Sequence, residues 1–93
     1  MAPRQFFVWG EIDLANAHTL RDDLFLAIDG CADDLLVDCT ALAFMDSSGV
    51  QAILDAQTRL QRTGRALHIV NLQSGPRRVF ETLGLLEQLR VDA

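Results

Sequence analysis

Three short β-favouring apolar runs, each followed by a stretch of helical periodicity, constrain this chain more than anything else in it. Gln5, Phe6, Phe7, Val8 and Trp9 form the first run, Leu35, Leu36, Val37, Asp38 and Cys39 the second, and Ala66, Leu67, His68, Ile69 and Val70 the third. Strand and helix alternating three times predict right-handed crossovers and a mostly parallel sheet with amphipathic helices packed on it. The expectation is therefore an α/β domain built on a four-stranded sheet, with residues 89–91 as a last edge strand or a tail.

The helices can be placed from their apolar spacing. Ala17, Leu20, Leu24, Ala27 and Ile28 share one face, with Arg21, Asp22 and Asp23 opposite, Asn16 as N-cap and Gly30 as stop. The second run is apolar apart from Asp38, which predicts a parallel strand covered on both faces. A loop over 40–45 leads to Asp46, Ser47, Ser48 and Gly49, and Val50, Ile53, Leu54 and Leu60 then define a helix closed by Gly64. Pro76 marks the first turn of a third helix with Val79, Phe80 and Leu83 on its apolar face and Gly84 at its end.

With 93 residues, 49% of them hydrophobic, the chain has material for one core, and residues 1–93 read as a single domain without repeat or linker. Its longest apolar runs fall far short of the roughly 18–20 residues of a membrane span. The N-terminus lacks the apolar region and cleavage site of a signal peptide, so a cytoplasmic location is the expectation. Cys31 and Cys39 have neither redox nor zinc spacing and read as reduced structural thiols. A net charge of −5 and the absence of lysine argue against nucleic acid and favour a protein partner. No glycine-rich phosphate loop is present, so neither nucleotide nor another cofactor is expected, and no metal site either.

In parallel sheets, functional groups gather at the carboxyl ends of strands and at the helix N-termini that follow. Asp38 and the Asp46, Ser47, Ser48 cluster both fall there. A serine in the first turn of a helix lies near unpaired backbone N–H groups and the positive end of the helix dipole, where a phosphate is tolerated. Asp46 or Ser47 is the candidate cap, and Gly49 allows close backbone approach.

The string Phe44-Met45-Asp46-Ser47-Ser48-Gly49-Val50, downstream of Gly10-Glu11-Ile12-Asp13-Leu14-Ala15, resembles the STAS domains of bacterial anti-sigma factor antagonists. Val37-Asp38 and Arg78-Val79-Phe80-Glu81-Thr82-Leu83-Gly84-Leu85 extend the resemblance over nearly the whole chain. It implies a non-enzymatic regulator of transcription, often in stress responses, that binds an anti-sigma factor with serine kinase activity and so frees a sigma factor. Phosphorylation of Ser48 would switch it off, and a metal-dependent serine phosphatase would reset it. Asp46, Ser47, Gly49 and Asp38 would shape the site; Glu11, Asp13, Asp46, Ser48 and Val50 would meet the partner. The family usually carries a further strand ahead of residues 5–9, so the N-terminal edge strand is expected to be missing here, leaving a sheet edge open to self-association.

Two other readings compete. A STAS domain can serve as an unphosphorylated scaffold, for example docked on a transporter's ATPase; Ser48 weighs against that, since a scaffold needs no hydroxyl there. A hydrolytic set of Ser48, His68 and Asp38 or Asp46 lacks the G-x-S-x-G nucleophile elbow, and His18 and His68 read as structural.

Overall fold

The computed structural model describes residues 3–92. Its elements, in chain order, are β1 (Arg4–Phe7), β2 (Gly10–Ile12), α1 (Ala17–Asp29), β3 (Leu35–Asp38), β4 (Leu42–Met45), α2 (Ser47–Gln61), β5 (Leu67–Val70) and α3 (Ser74–Thr82). Every strand pairing is parallel, as the alternation of strand and helix requires.

The sheet departs from the single four-stranded expectation. It is split into a three-stranded sheet in the order β1-β3-β5 and a two-stranded ribbon of β2 and β4. The split has a local cause, because two neighbouring chains bend at the same level. After β1, Val8 still donates to the Asp38 carbonyl at 3.0 Å, but Gly10 adopts a φ of 76° and hands its N–H to Ala41 instead. Beside it, the Asp38 carboxylate accepts the Thr40 amide at 2.9 Å and the Thr40 hydroxyl at 2.6 Å, folding β3 into a tight turn before β4.

Residues 42–45, expected as loop, are thus strand β4. Leu42 and Met45 are buried while Ala43 and Phe44 are exposed, a pattern without the period of two that identifies a half-buried strand. In β3 the expectation of cover on both faces also fails. Leu35 and Val37 are buried, but Leu36 and Asp38 are half-exposed, and β5 repeats the alternation. The C-terminal segment contributes one parallel bridge, between Ile69 and Val91, and a fully buried Leu89 rather than a strand.

α1 and α2 pack side by side, their buried Leu20, Leu24, Ile28, Ile53, Ala56 and Leu60 forming one core with Val37 and Ile69. Burying such side chains contributes about 1.5–3 kcal/mol each before chain entropy is charged against it. Gln57 is buried among them and donates to the Gln88 carbonyl at 2.8 Å, tying α2 to the C-terminal segment. Arg65 donates to the carbonyls of Ile28, Cys31 and Asp33 and so satisfies the backbone at the end of α1. Cys39 is buried, its thiol pushed up to about 12 by burial and by the Asp38 charge, and Cys31 is half-buried; both are free. None of the described helices is long and apolar enough to cross a membrane.

Candidate functional site

The start of α2 is fixed from two sides. Asp46, in extended backbone, is the cap: its Oδ1 accepts the Ser48 amide at 2.8 Å. Its own N–H donates to the Ile12 carbonyl at 3.1 Å, which ties the cap to the end of β2. Gly49 is buried, and a Cβ there would stand 2.6 Å from Met45 Cγ and 2.8 Å from Ile12 Cγ2. Only a residue without a side chain lets the first turn of α2 settle so close to β2 and β4.

With Asp46 and Gly49 fixed, the two serines point to different surfaces. Ser47 is exposed and borders a shallow depression with Gly75, Arg78 and Thr82 of α3. Ser48 is half-buried and opens into the groove between α1 and α2. The walls of that groove are two matched stripes: Leu14, Ala17, His18 and Arg21 on one side, Ser48, Gln51, Ala52 and Asp55 on the other. Ala17 and Ala52 are buried at its floor, small enough to keep it open at the surface.

The remaining predicted site residues are dispersed. Asp13 is exposed, and its Oδ1 accepts the Ala15 amide at 2.9 Å. Asn16, at the predicted cap position, turns its side chain back instead, accepting from the Asp13 amide and donating to the Glu11 carbonyl. Together these bonds stiffen the loop between β2 and α1 that flanks Asp46. The Glu11 side chain is exposed and borders an apolar depression with Phe7, Trp9 and Leu20. Val50, expected on the contact surface, is 1% exposed and belongs to the core.

Asp38 spends its carboxylate on the turn after β3. The Thr40 hydroxyl first, then the Thr40 amide and Asn71, hold it below the usual carboxylate range. His68 of β5 is paired at 3.2 Å with Asp34, the residue that precedes β3, and neither residue borders the Ser48 groove. The Ala66 amide and His68 lower the Asp34 carboxyl. Ser48 and His68 therefore do not form a hydrolytic pair. Among the described residues no group of three or more histidine, cysteine or carboxylate side chains is placed to hold a metal.

The sequence reading missed His18, Arg21 and Gln51 as neighbours of Ser48. Their signal was present as positions 14, 17, 18 and 21 set against 48, 51, 52 and 55, two stripes of identical spacing.

The STAS domain profile matches residues 4–93. Among solved structures, the anti-sigma factor antagonist SpoIIAA in its unphosphorylated form superposes with a TM-score of 0.78 at 24% identity, over 99% of this chain and 83% of that one. A sulfate transporter family protein from Wolinella succinogenes superposes with a TM-score of 0.77 at 18% identity, over 95% of this chain and 74% of that one. At these identities the two likenesses establish the fold.

Proposed function

The chain belongs to the STAS domain family, and on that premise we propose that it is an anti-sigma factor antagonist switched by phosphorylation of Ser48. Unmodified, it binds an anti-sigma factor that doubles as a serine kinase, and a sigma factor is released for transcription. The observation that carries this reading is the placement of Ser48: a partly accessible hydroxyl in the first turn of α2, its backbone clamped by Asp46 and its neighbour Gly49 locked against β2 and β4.

The chemistry asks little of this chain. Ser48 Oγ attacks the γ-phosphorus of ATP held by the kinase, ADP leaves, and the hydroxyl proton passes to a base of the kinase. What the substrate must supply is a hydroxyl presented in a fixed position, because positioning carries most of the rate in phosphoryl transfer. The product gains about −1.5 to −2 charges and three acceptor oxygens.

That change acts on a surface already acidic. Asp46 caps the turn that carries Ser48, Glu11 lies on β2 and Asp13 on the loop after it, next to Ile12, whose carbonyl holds the Asp46 amide. Leu14, 80% exposed beside the groove, and Trp9, 73% exposed, supply apolar contact of the kind that anchors interfaces. Bringing a phosphate against a partner matched to the unmodified surface costs several kcal/mol, and each ~1.4 kcal/mol is tenfold in affinity. A metal-dependent serine phosphatase would restore the binding form.

The scaffold reading draws on the transporter-family likeness, but the two superpositions are nearly equal and do not choose between them. Ser48 favours the switch. The test is intact mass after incubation with a candidate anti-sigma kinase and ATP, for wild type and Ser48→Ala. One phosphate that disappears in Ser48→Ala, with loss of partner binding on modification, supports the switch. An active kinase that leaves the protein unmodified turns the assignment to the scaffold.

A further inference from the structure

We infer that the α1 wall of the Ser48 groove is a phosphate grip, in which Arg21, with His18 beside it, takes hold of the phosphate once Ser48 carries one. This rests on Ser48 being the modified residue, and it adds what becomes of the phosphate within the protein itself.

The helix N-terminus alone does not provide for that phosphate. The Ser48 amide is already donated to the Asp46 carboxylate, and the Gly49 and Val50 amides are donated to the Asp46 carbonyl. Asp46 also places a negative charge two residues from the modified oxygen, so a phosphate there needs a cation from another element. α1 provides it. Asp29 and Arg59 join α1 and α2 near their C-terminal ends, and the first turns of both helices border one groove, so the two run alongside each other in the same direction. At the other end His18 and Arg21 border the same groove as Ser48, with Arg21 about one turn, roughly 5 Å, beyond His18 along α1. Helical side chains lean towards the N-terminus of their helix, so Arg21 leans back towards Ser48.

The other charged groups nearby leave Arg21 available. Its contact with Asp22 is a 3.8 Å approach between two exposed side chains, weak enough for a phosphate to displace. Asp55 borders the same groove as Arg21, but its Oδ1 accepts a hydrogen bond from Gln51 at 3.0 Å and no ion pair joins it to Arg21 among the described residues. Among the described residues bordering the groove, Arg21 is the one permanently charged cation, and a guanidinium presents a fork of donors that fits phosphate oxygens. The phosphate so held occupies the Ser48 end of the groove and offsets the Arg21 charge. The modified protein then differs from the unmodified one in shape as well as in charge along the α1–α2 seam.

The test installs phosphoserine at position 48 of the full chain by genetic encoding, so it needs no kinase and is independent of whether one is found. The second pKa of the phosphate, ordinarily about 6, is read by phosphorus NMR over a pH titration in wild type, Arg21→Gln, Arg21→Lys and His18→Gln. A guanidinium in contact favours the dianion, so Arg21→Gln should raise this pKa by about half a unit or more, with Arg21→Lys between the two. Equal values in wild type and Arg21→Gln overturn the grip. A shift confined to His18→Gln removes Arg21 from it.

Discussion

The seam between α1 and α2 is finished differently at its two ends. At the C-terminal end, Arg59 holds Asp29 through two hydrogen bonds of 2.9 and 2.7 Å, and its guanidinium lies 4.5 Å over the centre of the Phe25 ring. At the N-terminal end, Leu14, His18, Arg21 and Ser48 border an open groove, and no side-chain hydrogen bond joins the two helices there among the described residues. The same helix pair is stapled at one end and left with unspent hydrogen-bonding capacity at the other. On the proposed reading, a modification of Ser48 falls at the open end, where it breaks no side-chain hydrogen bond between the two helices among the described residues.

The contrast has meaning only if both ends share one support, and Ile53 tests that. It is fully buried midway along α2, and Ile53→Ala is expected to cost about 2–5 kcal/mol of stability, measured by urea unfolding. Amide exchange should speed up at both ends of α2. Acceleration at only one end would mean that the seam is two independent contacts.

A smaller loss, confined to the open end, is expected from Gly49→Ala. The added methyl meets Met45 Cγ and the branched Ile12 side chain, so a cost of about 1–3 kcal/mol is expected, with a shifted start of α2. Partner binding should weaken beyond what the lost stability explains, because Ser48 moves with that turn. Unchanged binding would show that the position of Ser48 is not critical.

Asp46 separates structure from charge. Asp46→Ala removes the cap and should cost about 1 kcal/mol, whereas Asp46→Asn keeps a capping oxygen and should be nearly neutral for stability. A partner that senses the acidic surface will distinguish Asn from Asp even so. Equal binding by wild type and Asp46→Asn would limit Asp46 to holding the helix.

Much of this arrangement was legible in the sequence, and the omissions have physical reasons. Helices α1 and α2 showed themselves by apolar periodicity, and Asp46, Ser47, Ser48 and Gly49 by the string they form at a helix start. Strand β4 was hidden because Ala43 and Phe44 face outward together, and the split of the sheet because it depends on Gly10 and Asp38 bending neighbouring chains at one level. Val50 stands next to the motif in the sequence but not on its surface, because the helical period turns it inward. The groove was missed because it needs two helices placed side by side, and a one-dimensional reading finds each stripe without the offset that brings them together.

The closed end makes the smallest prediction, and its sign follows from the hydrogen bonds of Arg59. Those bonds first of all hold the Asp29 carboxyl below its ordinary value; desolvation opposes them, and the charges of Arg59 and Arg65 add to the lowering. A carboxyl lowered in the folded protein binds protons less readily there than in the unfolded chain. Its contribution to stability is therefore complete above the unfolded value and fades as pH falls through the lower folded one. Asp29→Asn should flatten the acid limb of the stability curve slightly, with little change near neutral pH, because the pair is exposed. If the two ends are as separate in role as they are in structure, the same variant will leave phosphorylation of Ser48 and partner binding unchanged. A loss of either would mean that the staple sets the width of the groove at the far end of the seam.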